Sequence, residues 1–340
     1  MKYSDAGVDI DAADQAKQRI KQLARSTFTT GVLSEIGSFG GLFRPALDGL
    51  REPVLVASAD GVGTKLKVAF LSGRHDSCGA DLVSHCVNDI LVQGAVPLFF
   101  LDYIALGKVD PAIVEAVVTG VARGCQAAGC ALLGGETAEM SDFYAPGEYD
   151  LAGFIVGMVD RTRLIDGSAI RPGDQILGLP SAGLHTNGYS LARKIFFEKL
   201  GYRAESHVPE LHSTVADLLL APHLCYLPAL RPLLATDSIH GLAHITGGGL
   251  TDNIPRVLPA HCGAQIARNS WPCPPIFGFL QRQGSVPEAD MYRTFNMGVG
   301  MVLIIDRERK DEVVTTLASA GQQSYLIGSI TDGSPRVEYL

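Results

Sequence analysis

Segments with strand and helix periodicity alternate through the first half of the chain, and this alternation restricts the fold more than any other feature. Val54–Ser58 has the pattern of a buried strand, and the apolar residues of Cys78–Gly94 recur at helical spacing. Asp110 and Pro111 predict the start of a second helix, and Gly129 predicts its end. Two helices among several strands favour a compact α+β layer. Further strands are predicted at Pro97–Leu106, Ala131–Leu133 and Leu151–Val159.

The second half begins with a turn and predicts another layered domain. Arg171–Asp174 has proline and glycine at turn positions directly before the strand Gln175–Leu179. A chain of 340 residues exceeds what one core usually holds, so we place a boundary near Asp166, with domains at 1–166 and 167–340. Helices are predicted at 189–200, 213–220, 223–235 and 308–320, and strands near 241–245, 263–267, 297–305 and 325–330. This order predicts an α/β sandwich.

Charge and targeting signals argue against several classes of protein. The 28 Lys and Arg residues against 36 Asp and Glu give a net charge of −8, which disfavours binding to nucleic acid or to a membrane surface. The amino terminus has no signal-peptide pattern, and the most apolar run, Ile90–Leu106, contains Gln93 and Asp102. Seven cysteines without a C-x-x-C pair indicate free thiols in a reducing cytoplasm. Neither a P-loop nor a Rossmann glycine motif occurs.

Glycines and carboxylates occur together where two predicted strands end. The first strand leads into Asp60-Gly61-Val62-Gly63-Thr64-Lys65, and the strand at 131–133 leads into Gly134-Gly135-Glu136-Thr137. Glycine lets backbone N–H groups approach an anion, and Mg²⁺ binds one or two carboxylates together with phosphate oxygens. Asp102 is also placed near a strand end, where ligands bind in α/β layers. A single such loop is more often a hairpin turn, but the repetition favours a magnesium–nucleotide site.

The helix predicted within Cys78–Gly94 carries a polar face opposite its apolar one. Asp81, His85 and Asn88 recur at i, i+4 and i+7, with Asp89 beside them. A polar helix face is usually solvated.

Three segments of the second half are candidates for binding phosphate. Residues 184–190 precede a helix, and residues 244–249 follow a strand and precede another helix, so both present backbone N–H groups at a helix N-terminus. The three consecutive glycines at 247–249 are entropically costly unless close backbone approach requires them. Arg293 supplies a cation near the start of a predicted strand.

Ten short motifs occur in the order in which they occur in one enzyme family. They are D-A-G-V-D-I-D-A from Asp5, S-F-G-G-L-F from Ser38, D-G-V-G-T-K from Asp60, C-V-N-D from Cys86, F-L-D-Y from Phe100, G-G-E-T-A-E-M from Gly134, H-T-N-G-Y-S-L from His185, T-G-G-G from Thr246, N-I-P-R from Asn253 and M-Y-R-T-F-N from Met291. On these motifs, which span nearly the whole chain, the sequence resembles the phosphoribosylformylglycinamidine cyclo-ligase family, also called aminoimidazole ribonucleotide synthetases.

The resemblance implies a fold and a reaction. The fold would combine an amino-terminal ferredoxin-like sheet domain that dimerises with a carboxy-terminal α/β sandwich. In the reaction, ATP would phosphorylate the formyl oxygen of formylglycinamidine ribonucleotide, and an amidine nitrogen would close the ring to aminoimidazole ribonucleotide in de novo purine synthesis. The implied partners are this ribonucleotide and a second copy of the chain. The implied cofactors are ATP and Mg²⁺, with a K⁺ requirement left open.

The resemblance also implies a role for each matching residue. Asp60, Asp89 and Glu136 would hold the metal and phosphate, while Asp102 and His185 are candidates for proton handling or substrate orientation. The role of His244 stays open, because related kinases carry a carboxylate near the metal at that place. The nucleotide would be lined by Lys21, Gly61, Gly63, Thr64, Lys65, Gly134, Gly135 and Thr137, and the ribose phosphate by Thr186, Asn187, Gly247, Gly248 and Arg293.

Other functions remain as alternatives. One is a different ATP-using member of the same superfamily, either a small-molecule kinase or a selenophosphate-type synthetase. The second of these would need a reactive residue near the amino terminus, whereas the first cysteine here is Cys78. Another alternative is a non-catalytic nucleotide-binding maturation protein, which would bind ATP without turnover.

Overall fold

The structure is a computed structural model that describes the backbone of residues 10–340 and the side chains from residue 18 onward. The motif that begins at Asp5 therefore lies outside the described side chains. Within the described part, no helix is both long and apolar enough to cross a membrane. All seven cysteines are free thiols, and five of them are buried.

The first half forms one four-stranded sheet with helices on one face. Its strands are ordered β1-β4-β2-β3, with β2 and β3 parallel and β4 antiparallel to both of its neighbours. From β1 onward, with α2 and α3 taken together as one helical connection, the chain order is β-α-β-α-β-β. This differs from the β-α-β-β-α-β order of a ferredoxin-like domain, so that part of the expectation is corrected. The elements are α1 (Ile10–Arg25), β1 (Pro53–Gly61), α2 (Leu66–Ser72), α3 (Asp76–Leu91), β2 (Val96–Leu106), α4 (Pro111–Ala128), β3 (Ala131–Glu139) and β4 (Tyr149–Asp160).

All four strands are longer than the sequence predicted, and β1 and β3 exceed the prediction most. β3 continues to Glu139 because it pairs in parallel with β2 as far as Leu106. β1 continues to Gly61, opposite Ala152 of β4. The segment at 134–137 is therefore strand rather than loop, and Asp102 lies within β2 rather than at its end. Glycine and carboxylate content suggested strand ends there, but backbone pairing with neighbouring strands extends them.

Helices α3 and α4 pack closely because glycines face each other where they cross. A Cβ atom added at Gly79 would lie 2.1 Å from the carbonyl oxygen of Val117, and one added at Gly120 would lie 2.2 Å from that of Asp76. The contact partners are backbone atoms, so a side chain there would require the two helices to separate.

We expect Gly120→Ala to lower the free energy of unfolding by about 1–3 kcal/mol, the usual cost of overpacking, although alanine favours the helix more than glycine does. Denaturant unfolding followed by circular dichroism measures this change. Gly40→Ala is the control, because a Cβ there meets no atom within 4 Å. Equal stability of the Gly120→Ala variant and the wild type would contradict the close packing.

The sheet face opposite α3 and α4 carries exposed apolar side chains. Along β4, buried and exposed residues alternate from Tyr149 to Phe154, as expected for a strand with one covered face. Leu55, Tyr103 and Phe154 are 65%, 40% and 42% exposed, and their positions in the strand register place them on the same open face. Exposed apolar patches are typical of interaction surfaces in general.

The second half is built on a six-stranded sheet, as the sequence predicted in outline. Its strands are ordered β12-β9-β11-β5-β10-β8, and all neighbours are antiparallel except β12 and β9. The sequence missed β6, β7, α9, α10 and β12. The elements are β5 (Gln175–Pro180), α5 (Tyr189–Arg193), β6 (His207–Val208), β7 (Ser213–Thr214), α6 (Val215–Leu219), α7 (Leu227–Leu230), β8 (Ile239–His244), α8 (Gly249–Asn253), β9 (Cys262–Ile266), α9 (Pro275–Gly284), α10 (Glu288–Thr294), β10 (Val299–Ile305), α11 (Lys310–Ser319), β11 (Tyr325–Asp332) and β12 (Val337–Tyr339).

Candidate active site

A polar cleft lies between the two halves of the chain. It has a volume of about 440 Å³ and is bounded by β1, the end of α3 and the connection from β8 to α8. Its polar lining comes from both halves: Ser58, Asp60, His85, Asp89, Gln93, Asp166, His244, Thr246, Asn253 and Arg256. The cleft therefore depends on the packing of one half against the other.

Two of the predicted metal-binding carboxylates meet in this cleft, and each contacts a histidine. Asp60 Oδ2 lies 2.7 Å from His85 Nε2, and Asp89 Oδ1 lies 2.8 Å from His244 Nδ1. Asp89 Oδ2 also accepts a hydrogen bond of 3.0 Å from the Ser58 hydroxyl. Helix α3 supplies His85 and Asp89 four residues apart, so both side chains lie on one face of the helix.

The surroundings keep both carboxylates ionised. Burial would raise the pKa of Asp60, but the hydrogen bond and charge of His85, together with the Gly61 N–H group, hold it below its ordinary value. Burial would also raise the pKa of Asp89, but His244, His85 and Ser58 outweigh that effect and lower it. At neutral pH the cleft therefore presents two anionic groups, which is the chemistry that binds a divalent cation.

The polar face of α3 is buried rather than solvated, because it packs on the second half. Asn88 donates to the Leu224 carbonyl at 2.8 Å and accepts from the Tyr226 N–H at 3.0 Å. His85 Nδ1 lies 2.8 Å from Thr186 Oγ1. This face thus aligns the two walls of the cleft.

Lys65 is buried between the two halves of the chain, and its side chain does not project into a phosphate-binding loop. Its ammonium group is fully buried, 2.7 Å from Asp81 Oδ2 and 2.7 Å from the Ala221 carbonyl oxygen. The sequence suggested a point charge available to a nucleotide. The structure corrects this, because the charge is already paired with Asp81 of the polar helix face.

The rest of the first glycine segment lies beside the second half. Gly61 ends β1, and Gly63 has φ +67° and begins a 3₁₀ turn. Thr64 Oγ1 lies 3.3 Å from Ser190 Oγ on α5. The two segments that were predicted to bind phosphate, around 61–64 and 186–190, are therefore neighbours.

The second glycine segment lies at the opposite edge of the sheet from β1. Gly134, Gly135, Glu136 and Thr137 belong to β3, and Glu136 pairs with Tyr103 on the open face. Asp60 faces the helices, because it contacts His85 of α3. A single chain therefore does not bring Glu136 together with Asp60 and Asp89.

Asp102 lies on the covered face, between two glycines of the neighbouring strands. It pairs with Gly153 of β4 and Gly135 of β3, and a Cβ at Gly135 would lie only 1.7 Å from Asp102 Oδ1. Burial raises the pKa of Asp102 to about 7. This carboxyl group can change its protonation near neutral pH.

The raised pKa of Asp102 predicts a dependence of stability on pH. Between its unfolded pKa of about 4 and its folded pKa of about 7, the folded chain holds an extra proton, so the wild type loses stability as the pH rises. Asp102→Asn should remove this loss of stability. The free energy of unfolding of the variant minus that of the wild type should therefore rise by up to about 4 kcal/mol from pH 4 to pH 8. Denaturant unfolding across this pH range measures the effect, with Asp311→Asn at a 93% exposed site as control. Parallel curves for wild type and Asp102→Asn would contradict the shift.

His185 lies behind the cleft and has no hydrogen-bond partner for either ring nitrogen among the described residues. It is fully buried and stacks on His223 with ring centroids 4.2 Å apart. Burial, together with the charges of neighbouring groups, lowers its pKa well below the ordinary value. His223, rather than His185, makes polar contacts toward the cleft: it lies 3.0 Å from His244 Nε2 and 3.2 Å from Thr186 Oγ1. These contacts form a hydrogen-bond network behind the cleft.

The residues predicted to bind ribose phosphate fall into two groups. Thr186 belongs to the network just described, and a Cβ at Gly247 would lie 3.3 Å from Asn187 Oδ1, so these three residues adjoin one another. Gly248 has φ +99° and precedes α8. Arg293 is mostly exposed and pairs with Asp252 at 3.1 Å.

Lys21 is partly buried on α1 and is not among the residues that line the cleft.

The sequence did not identify His85, His223 or Arg256 as site residues. His85 was visible on the polar helix face, and Arg256 follows Asn253 in a recognisable motif, where its Nη1 donates to Asn253 Oδ1 at 3.2 Å. His223 carried no local signal, because its partners come from segments far away in sequence.

The chain matches two family descriptions that together cover most of its length. Residues 47–159 match "AIR synthase related protein, N-terminal domain", and residues 171–339 match "AIR synthase related protein, C-terminal domain".

Curated relatives match over nearly the full chain. Phosphoribosylformylglycinamidine cyclo-ligase of Syntrophotalea carbinolica is 53% identical over 99% of this chain and 97% of its own length. The enzymes with the same name from Desulfitobacterium hafniense and Geobacter sulfurreducens are 53% and 52% identical, each over 99% of this chain and over 99% and 97% of their own lengths.

Solved structures share the fold at low sequence identity. Thiamine-monophosphate kinase from Stenotrophomonas maltophilia has a TM-score of 0.69 at 19% identity, covering 96% of this chain and 95% of its own. HypE from E. coli has a TM-score of 0.67 at 18% identity, covering 95% and 92%. These likenesses concern the fold alone, whereas the curated relatives share half of the sequence. The chain therefore belongs to the phosphoribosylformylglycinamidine cyclo-ligase family.

Proposed function

We propose that the chain closes the imidazole ring of aminoimidazole ribonucleotide from formylglycinamidine ribonucleotide, with conversion of ATP to ADP and phosphate. The observation that carries the proposal is the cleft between the two halves, where two ionised carboxylates, two histidines and Arg256 meet. Membership of the cyclo-ligase family supports this choice of substrate.

The proposed reaction has two steps. The formyl oxygen attacks the γ-phosphorus of ATP, the bond from that phosphorus to the β,γ-bridging oxygen breaks, and ADP leaves. The amidine nitrogen then attacks the activated carbon, a C–N bond forms, the C–O bond breaks with release of phosphate, and the nitrogen loses a proton. Transfer of a phosphoryl group needs positioning and electrostatic stabilisation more than covalent help from the protein.

The cleft residues fit these needs. Asp60 and Asp89 present carboxylate oxygens that fit Mg²⁺, with 42% and 27% of their side chains exposed. When bound, Mg²⁺ would neutralise charge on the phosphoryl oxygens. We assign Arg256 to a phosphate group of the substrate, because no other Lys or Arg side chain is among the described residues that line the cleft.

The proton-handling residues need revision from the sequence hypothesis. We propose His85 and His244 as the imidazoles that face the substrate, since both line the cleft and His185 does not. Asp102 remains a candidate for proton handling, supported by its pKa of about 7. The nucleotide is proposed to contact Gly61, Gly63 and Thr64.

We further propose that the chain acts as a homodimer paired through the open sheet face. Leu55, Tyr103 and Phe154 form an apolar surface there. If Glu136 binds the same ligand as Asp60 and Asp89, it must come from a second copy of the chain. The seven free cysteines support a reducing, cytoplasmic location.

Sedimentation velocity at micromolar concentration should give the mass of two chains. Phe154→Asp should shift the chain to a monomer, because the charge would be buried in the paired sheets. Leu71→Asp is the control, since Leu71 is 57% exposed on α2, outside this face. A monomeric wild type would contradict the proposed dimer.

The activity is tested with purified chain, Mg-ATP and formylglycinamidine ribonucleotide. We expect ADP, phosphate and aminoimidazole ribonucleotide in equal amounts, measured by chromatography. A phosphorylated ribonucleotide that accumulates without ring closure would indicate a small-molecule kinase. ATP binding without any turnover would indicate a maturation protein, and either result would overturn the proposal.

A further inference from the structure

The side chain of Asn253 holds the glycine loop at 246–249 from one side. Asn253 is 3% exposed, and its Nδ2 donates to the carbonyl oxygens of Gly249 and Gly247 at 2.9 and 3.1 Å. The same nitrogen lies 3.4 Å from the carbonyl oxygen of Thr246. Three acceptors on one side fix the orientation of the amide, because the opposite orientation would place Oδ1 against them. Asn253 therefore turns these carbonyl groups of the loop toward itself.

The backbone N–H groups of the loop point the other way. In a planar trans peptide the C=O and N–H groups point in opposite directions, so the carbonyl contacts of Thr246 and Gly247 turn the N–H groups of Gly247 and Gly248 away from Asn253. These two N–H groups donate to no residue in the described part of the chain. Gly247 is exposed and Gly248 is half-buried. Successive free N–H groups of this kind attract an anion.

The oxygen of the same amide holds the cation of the cleft. Asn253 Oδ1 accepts a hydrogen bond of 3.2 Å from Arg256 Nη1, and Thr246 Oγ1 lies 3.4 Å from Oδ1. Arg256 is exposed and forms no ion pair with any side chain that the structure describes. Its charge is therefore available to a ligand, while its position is tied to the loop through Asn253.

The two halves of the chain give the cleft opposite charges. The first half contributes the carboxylates of Asp60 and Asp89, and the second half contributes Arg256 and the glycine loop. The carboxylates suit a metal and the phosphoryl group that is transferred. The cation and the free N–H groups suit a phosphate that takes no part in the reaction. In the proposed substrate this group is the ribose phosphate.

We propose that Asn253 is a positioning residue that ties the glycine loop to Arg256, so that both bind the ribose phosphate of the substrate. Its amide hydrogens bond to carbonyl groups and its oxygen to Arg256, so it acts through these groups and not on the ligand. The inference rests on the proposed function for the identity of the substrate, but its second test needs no turnover.

The first test compares kcat with the two KM values in Asn253→Ala. We expect KM for formylglycinamidine ribonucleotide to rise about ten- to a hundredfold, the range for losing one hydrogen bond to a charged group. The kcat and the KM for ATP should stay within about twofold, because the phosphate is bound equally before and during the reaction. Gly120→Ala, which loosens the packing of α3 on α4, is the control for lost stability and should change neither KM. A loss confined to kcat, or an equal rise of both KM values, would overturn the positioning role.

The second test measures binding of ribose 5-phosphate to the full chain without ATP, by ³¹P NMR titration. Asn253→Ala and Arg256→Gln should each weaken binding by about tenfold or more. The double variant should bind no more than about twofold more weakly than the weaker single variant, because both changes break the same arrangement. Asn253→Asp keeps the size of the side chain but sets an oxygen against the loop carbonyls, so it should weaken binding as well.

Three results would overturn the proposal: no saturable binding to the wild type, wild-type affinity in Asn253→Ala or Asn253→Asp, or fully additive losses in the double variant. The proposed reaction is judged separately. If ribose 5-phosphate binds as expected but no ring closure occurs, the proposed function fails and the positioning role of Asn253 stands.

Discussion

Replacing Asp89 with asparagine is expected to lower kcat for ring closure by about 10²–10³-fold, the size of loss found when one preorganised electrostatic group is removed from an active site. Asp89 combines the contacts that define the cleft: His244 at 2.8 Å, Ser58 at 3.0 Å and a place in the acidic pair with Asp60. The change removes one negative charge from the oxygens proposed to bind the metal, while keeping the size of the side chain. Steady-state kinetics with saturating Mg-ATP measures the loss.

Asp76→Asn is the matched control for this variant. It makes the same chemical change on the same helix, but Asp76 lies in the first turn of α3 and is 59% exposed beside Arg123. We expect its kcat to equal that of the wild type. If Asp89→Asn kept wild-type turnover, the cleft would not be the site of phosphoryl transfer.

Replacing Asp81 with asparagine is expected to lower the free energy of unfolding by about 3–5 kcal/mol, the cost of leaving a buried charge without its partner. Both side chains of the Lys65–Asp81 pair are fully buried. Asp81 Oδ1 also accepts a hydrogen bond of 2.7 Å from the backbone N–H group of His223, so the carboxylate of the first half also contacts the second half. Urea unfolding followed by circular dichroism measures the change.

An exposed ion pair and a double variant provide controls. Glu148→Gln breaks the partly exposed pair with Lys67 and should cost less than about 1 kcal/mol. Lys65→Met combined with Asp81→Asn should be more stable than Asp81→Asn alone, because no unpaired ammonium remains. A cost for Asp81→Asn as small as that for Glu148→Gln would show that the pair does not hold the halves together.

Local sequence signals predicted much of the fold. Apolar periodicity predicted α3, and the structure places this helix at Asp76–Leu91. Asp110 caps α4 as expected, since its side chain accepts from the N–H groups of Ala112 and Ile113. Such signals are sufficient where the deciding interactions lie within one turn of helix.

Features that depend on pairing between distant segments could not be predicted from local sequence patterns. The length of β3 is set by its pairing with β2, which no local pattern shows, so Gly134 and Gly135 looked like loop residues. Lys65 looked like a free charge because Asp81 and Ala221 are remote in sequence.

The sequence predicted part of the site but not the contacts that depend on packing between the two halves. Asp60 was a candidate from its glycine-rich motif and Asp89 from the family resemblance, and the structure brings both to one cleft. The pairing of these carboxylates with His85 and His244, and the place of His223 between the histidines, depend on how the two halves pack.

The proposed reaction is tested most directly by following the formyl oxygen of the substrate. Formylglycinamidine ribonucleotide labelled with ¹⁸O at this oxygen is converted with unlabelled ATP, and the released phosphate is analysed by mass spectrometry. If ATP activates the formyl oxygen, each turnover transfers one ¹⁸O atom to phosphate. Release of unlabelled phosphate, with the label in water, would contradict the account.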